Sequence, residues 1–131
     1  MKTPELGDIL FRAESHVLWT ELGPEVSISI ESHTVVATTP KFMWLAERYL
    51  SRERVLELDK HGALQAELNS VFCTTRPGQR RQREAKILWA WPTRELALES
   101  LRKRTEFRIM HAQRHLDAAK QVAVAVSRCA P

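Results

Sequence analysis

Apolar and polar positions along the chain change period several times, and each change predicts an element boundary. Near the N-terminus Ile9, Leu10, Ala13 and Val17 recur at the spacing of one helical face. Thr3 before Pro4 offers a capping side chain with proline at the first helical position, and Gly23-Pro24 stops the element. A first helix is therefore expected. Between Val26 and Thr38 the period shortens to two, with Val26, Ile28 and Ile30 alternating with Ser27, Ser29 and Glu31. Val35, Val36 and Ala37 continue after Ser32-His33, which predicts a β-hairpin within this segment.

Thr39-Pro40 repeats the Thr3-Pro4 signature and predicts a helix with Phe42, Leu45, Ala46 and Tyr49 on its apolar face. A further helical stretch is expected from about Ser51 to Phe72, with Val55, Leu58, Leu64, Leu68 and Val71 as core candidates and a break near Gly62. Pro77-Gly78 marks a loop. From Gln79 the pattern is basic and helical, interrupted at Trp91-Pro92, and Thr93 then caps a long last helix reaching about Ser127. The expected fold is mainly α, a helical bundle with one small β-hairpin in the order α-β-β-α-α-α-α, forming a single domain over residues 1–131.

The last helix carries a narrow stripe of Leu98, Leu101, Thr105, Ile109, Ala112, Leu116, Ala119, Ala123 and Val126, spaced by three and four as in a helix-pairing seam. Arg104, Arg108, His111 and His115 lie on one flank, and Glu95, Glu99, Glu106 and Asp117 on the other. The bland reading is a core stripe with solvated charges; the sharper one is an interface between helices. Leu96, Phe107 and Met110 fall away from the stripe, and a helix apolar on two sides is usually covered on two sides. That favours a compact bundle, a dimer or a partner protein.

Length and composition narrow the class. A chain of 131 residues with 44% hydrophobic content suffices for one core. No apolar run approaches the ~20 residues that cross a bilayer, and Glu5 and Asp8 precede the first apolar stretch, unlike a secretory signal. A cytoplasmic protein is expected. Its two cysteines, Cys73 and Cys129, are far apart in sequence and read as free thiols, with a disulfide between them as the alternative.

Charge is distributed unevenly. Residues 1–75 hold 7 Lys+Arg against 11 Asp+Glu, whereas residues 76–131 hold 13 against 5. The basic half implies an acidic partner, either nucleic acid or protein, unless the two halves simply complement each other. The segment richest in arginine contains Arg76, Arg80, Arg81, Arg83 and Lys86, whose side chains suit phosphate oxygens. Trp89 and Trp91 follow closely and suit base stacking. Arg104 and Arg108 on the last helix extend the candidate surface. The competing reading is a solvated basic face with the tryptophans in the core.

Other chemistries fit poorly. A ribbon-helix-helix reader would present Thr34, Val36 and Thr38 to the groove, none of them Arg, Lys or Gln. His111 and His115 have the spacing of two ligands on a helix, yet no third ligand is nearby. The four glycines are isolated, which excludes a phosphate-binding loop or dinucleotide fingerprint, and there is no nucleophile elbow. The sequence therefore points to a non-enzymatic regulatory protein, without a cofactor, that binds DNA or RNA through Arg76–Lys86. The alternative is a protein-binding adaptor or inhibitor acting through helical faces, with a second copy of the chain as one partner for the last helix.

Overall fold

The computed structural model describes residues 3–46, 50–64, 79–83 and 88–129. Strands β1 (Ile9–Thr20), β2 (Gly23–Thr38) and β3 (Phe42–Leu45) precede helix α1 (Arg52–Lys60), strand β4 (Gln79–Gln82) and helix α2 (Arg94–Cys129). The four strands form one curled antiparallel sheet in the order β1-β2-β3-β4. The expected helical bundle with a small hairpin is therefore overturned: the fold is α+β, with the sheet first.

The first correction is β1, where a helix is expected. Ile9, Ala13 and Val17 are spaced by four, which suits one helical face and also an even number of pleats. Phe11 and Trp19 break the tie, because they join the same set only at a period of two. Every residue of β1 pairs with β2, from Ile9 opposite Thr34 to Thr20 opposite Gly23. Glu21 and Leu22 form the turn, and Gly23 follows with a φ of +114°, a left-handed value suited to glycine. The hairpin expected inside Val26–Thr38 is thus a single strand that pairs upstream with β1 and downstream with β3.

Thr39-Pro40 opens no helix. The Thr39 hydroxyl accepts from the Phe42 amide at 3.1 Å, and the Thr39 amide donates to the Phe42 carbonyl at 2.8 Å, so the segment closes the turn into β3. A threonine hydroxyl that accepts from the amide three residues on is the device of both a helix cap and a turn, so sequence alone cannot separate them. The basic segment at Gln79 is likewise a strand, paired with β3 from Phe42 opposite Gln82 to Leu45 opposite Gln79. Leu68, Val71 and Cys73 lie outside the described residues.

Both described helices are capped, α2 by the Thr93 read as a cap in the sequence and α1 at the Ser51 and Gly62 read there only as an approximate start and a break. Ser51 accepts from the Arg54 amide at 3.2 Å, Gly62 follows the end of α1 at φ +67°, and Thr93 accepts from the Leu96 amide at 3.2 Å. Residues 1–98 and 99–131 fall into two compact units. Within the first, the sheet is covered on both faces around Leu10, Val35, Val36, Met43 and Leu45. Leu10, Val35, Met43 and Leu45 pack with Ala90 and Trp89, while Val36 packs with Ala46, Leu50, Val55, Leu58 and Leu64. A register shift between Val35 and Ala37 marks the place where adjacent valines are both buried. Among the described residues no helix is long and apolar enough to cross a membrane.

Candidate functional site

A helix would put Arg80 and Arg83 near one face; β4 instead sends neighbouring side chains to opposite faces. Arg80 is exposed, with its guanidinium 4.7 Å from the Phe42 ring centroid, and Lys41 beside Phe42 is also exposed. Arg81 is half-buried and lies 4.3 Å over the Trp89 ring. Arg83 is half-buried as well. Its Nε donates to the Pro4 carbonyl at 2.7 Å, and a terminal nitrogen donates to the Thr39 carbonyl at 3.3 Å. Arg76 and Lys86 lie outside the described residues.

Trp89 and Trp91, the expected stacking residues, are both half-buried. Arg12 lies 4.4 Å over the Trp89 ring and donates to the Trp89 carbonyl at 2.6 Å, while also pairing with Glu14. With Arg81 over the same ring, Trp89 is engaged inside the fold. Trp91 forms a two-way backbone bridge with Phe11, at 2.6 and 2.7 Å, along the outer edge of β1. His33, opposite Leu10, meets Trp89 edge-on at 5.2 Å and makes a 3.2 Å contact from Nδ1 to the Ala46 carbonyl.

On α2 the buried positions are Ala97, Ser100 and Leu101, and Arg104 is half-buried. From Thr105 to Cys129 every side chain is exposed, Arg108, His111 and His115 among them. Ile109 and Val126 of the apolar stripe are each 64% exposed. Leu96 at 40% and Met110 at 39% are open too, as is Phe107, whose ring packs 5.4 Å from His111. Arg102 on the same helix bridges Glu99 and Glu106. The hydrogen bond from Arg102 holds the Glu99 carboxyl below its ordinary range, against a smaller desolvation, with the charges of Arg102 and Lys103 adding. Reciprocally, the bond to Glu99 and the charges of Glu106 and Glu99 raise the Arg102 pKa further.

A second apolar face escaped the sequence reading because it depends on pairing. Where β1 and β2 run as a two-stranded ribbon, Val17 faces Val26 and Trp19 faces Pro24, with Ile28 opposite Ser15 on the same side. Val17, Trp19, Val26 and Ile28 are all exposed, Trp19 to 77%. The alternation of Val17 with Trp19 was the available signal. Elsewhere, a shallow cleft of about 380 Å³ is lined by Gly7, Asp8, Arg52 and Leu88, with Arg52 and Asp8 3.9 Å apart. Among the described residues no group of three or more His, Cys, Asp or Glu is placed to hold a metal ion. No family model, curated protein or solved structure matches the chain.

Proposed function

We propose that this chain is a non-enzymatic protein-binding module that docks through residues 105–129 of α2. The observation that carries this reading is the run of consecutive exposed side chains that includes Ile109, Leu116 and Val126 in register on one stripe. Helices in proteins draw most of their stability from packing of an apolar face, and isolated ones are marginal in water even at favourable composition. Exposed apolar surface rimmed by charge is the ordinary mark of a docking face. The two cysteines, with Cys129 free and exposed, suit a reducing compartment, and we place the protein in the cytoplasm.

The test uses the full chain and its Leu116→Asp variant as paired baits, with bound proteins quantified from each. Partners retained by the parent and lost by the variant support the reading. Identical capture by both overturns it.

Nucleic acid is the second reading, and it rests on exposed Arg80 stacked on Phe42 beside exposed Lys41. Anisotropy with labelled duplex and single-stranded oligonucleotides tests it. Salt-sensitive binding weakened by Lys41→Ala with Arg80→Ala supports it, because phosphate contacts release counterions. Binding unchanged in that double variant, or absent at low salt, rejects it.

A further inference from the structure

Resting on the protein-docking reading, the geometry points to a second copy of this chain as the occupant of the α2 stripe, paired antiparallel. From Ile109 onward the stripe is strictly heptad: Ile109, Ala112, Leu116, Ala119, Ala123 and Val126 are spaced three, four, three, four, three. All six are exposed. Two independent features of this stretch select the orientation.

The first is volume. In a parallel in-register pair each residue meets its own copy, so Ile109 and Leu116 make crowded layers while Ala112, Ala119 and Ala123 make empty ones. An antiparallel pair with its two-fold axis at the level of Arg114 sets Ile109 against the second copy's Ala119, and Leu116 against its Ala112. Large then faces small in every central layer, which is how packed layers fill without voids. The alanines also let the two backbones approach closely.

The second is charge on the flanks of the seam. In the antiparallel pair Glu106 flanks Lys120 of the second copy, twice by symmetry, and Gln113 meets its own copy between them. A parallel pair brings together only Arg108 with Gln113 and His115 with Lys120 among these flanking positions, and neither is an attractive ion pair. Opposite charges flanking a seam set partner and orientation, and both features choose the same arrangement. Glu106 already accepts from Arg102 within its own helix, and Lys120 is exposed and able to reach across.

Sedimentation of the full chain over a range of concentrations, joined to a spin-label distance, tests this. With Cys73→Ser, Cys129 is the single thiol for a label. The antiparallel pair separates the two labels by ~45 Å along the helices, from 15 residues on either side of the axis at 1.5 Å each. A parallel pair brings them within roughly 20 Å. Glu106→Lys or Lys120→Glu alone is expected to weaken the dimer roughly tenfold, since two attractive contacts become two repulsive ones. The double charge swap restores it, whereas any local effect on the helix would accumulate instead. Leu116→Asp gives a monomer whose tryptophan fluorescence and circular dichroism still report the folded sheet. A monomer at ~100 µM, a short label distance, or a double swap no better than the singles overturns the proposal. If the chain is monomeric yet its captured partners still depend on Leu116, self-pairing fails while protein docking stands.

Discussion

Arg80 and Arg83 are near neighbours in one basic run, and the structure gives them opposite duties. Arg83 ties three distant segments, since its guanidinium donates to the Pro4 carbonyl at 2.7 Å and the Thr39 carbonyl at 3.3 Å. A hydrogen bond from a charged donor contributes about 1.5 kcal/mol when well formed and partly shielded, and the longer one about 0.5 kcal/mol, so Arg83→Ala costs about 2 kcal/mol. Arg80 is exposed, and its contact with the Phe42 ring at 4.7 Å contributes about 0.5 kcal/mol. With a urea m-value of about 1.5 kcal/mol/M, the unfolding midpoint falls by roughly 1.3 M for Arg83→Ala and roughly 0.3 M for Arg80→Ala. Tryptophan fluorescence in a urea titration reads both. Equal shifts for the two variants refute the assignment, as does an Arg83→Ala shift no larger than that of Arg80→Ala.

The remaining predictions concern single interactions. Thr34 is fully buried and donates its hydroxyl to the Leu50 carbonyl, so Thr34→Val keeps the shape, leaves that carbonyl unmatched and costs about 2 kcal/mol in chemical denaturation; parental stability would remove the bond from the account. Gly7 has φ +86° and a Cβ there would sit 3.2 Å from the Arg52 Cγ, so Gly7→Ala costs about 2 kcal/mol from left-handed strain and crowding together, read as a lower thermal midpoint; an unchanged midpoint contradicts it. The lowered Glu99 pKa stabilises α2 above the ordinary carboxylate pKa of about 4.3, and the contribution is lost as pH falls through the lower folded value. Helical dichroism between pH 6 and pH 2.5 should therefore fall with acid in the parent and fall less in Arg102→Gln; matching titrations would count against the pair.

What the sequence conveyed was local and what it withheld was pairing. Ser51, Gly62 and Thr93 announce helix ends because a cap is satisfied within three or four residues of itself. The strand character of Val26, Ile28 and Ile30 is legible for the same reason. By contrast, Ile9, Ala13 and Val17 of β1 share their spacing with a helix, and only Phe11 and Trp19 separate the two before the register with β2 is known. β3 hides behind a threonine whose turn imitates a cap. In the basic segment the sequence displays the charges of Arg80, Arg81 and Arg83 but not their directions. Those depend on whether the backbone repeats every two residues or every 3.6. The α2 stripe was visible as a spacing, whereas its exposure was not.

Arginine explains why so basic a segment enters the fold. The guanidinium is flat, weakly hydrated and rich in donors, so it stacks on rings and satisfies carbonyls where an ammonium would hold its water. Arg12 and Arg81 over Trp89, and Arg83 on two carbonyls, are three uses of that property. Arg80 has another use. Among the described residues β4 ends the sheet order, and charge on an end strand discourages a further strand from pairing there. Residues 99–131 hold 7 Lys+Arg against 3 Asp+Glu, and from Thr105 to Cys129 all of those charges are exposed. The proposed antiparallel pairing would set Glu106 of each copy beside Lys120 of the other and leave Arg114 and Arg128, which lie off the seam, facing outward on both copies, so self-pairing would still leave positive charge on that helix open to an acidic partner.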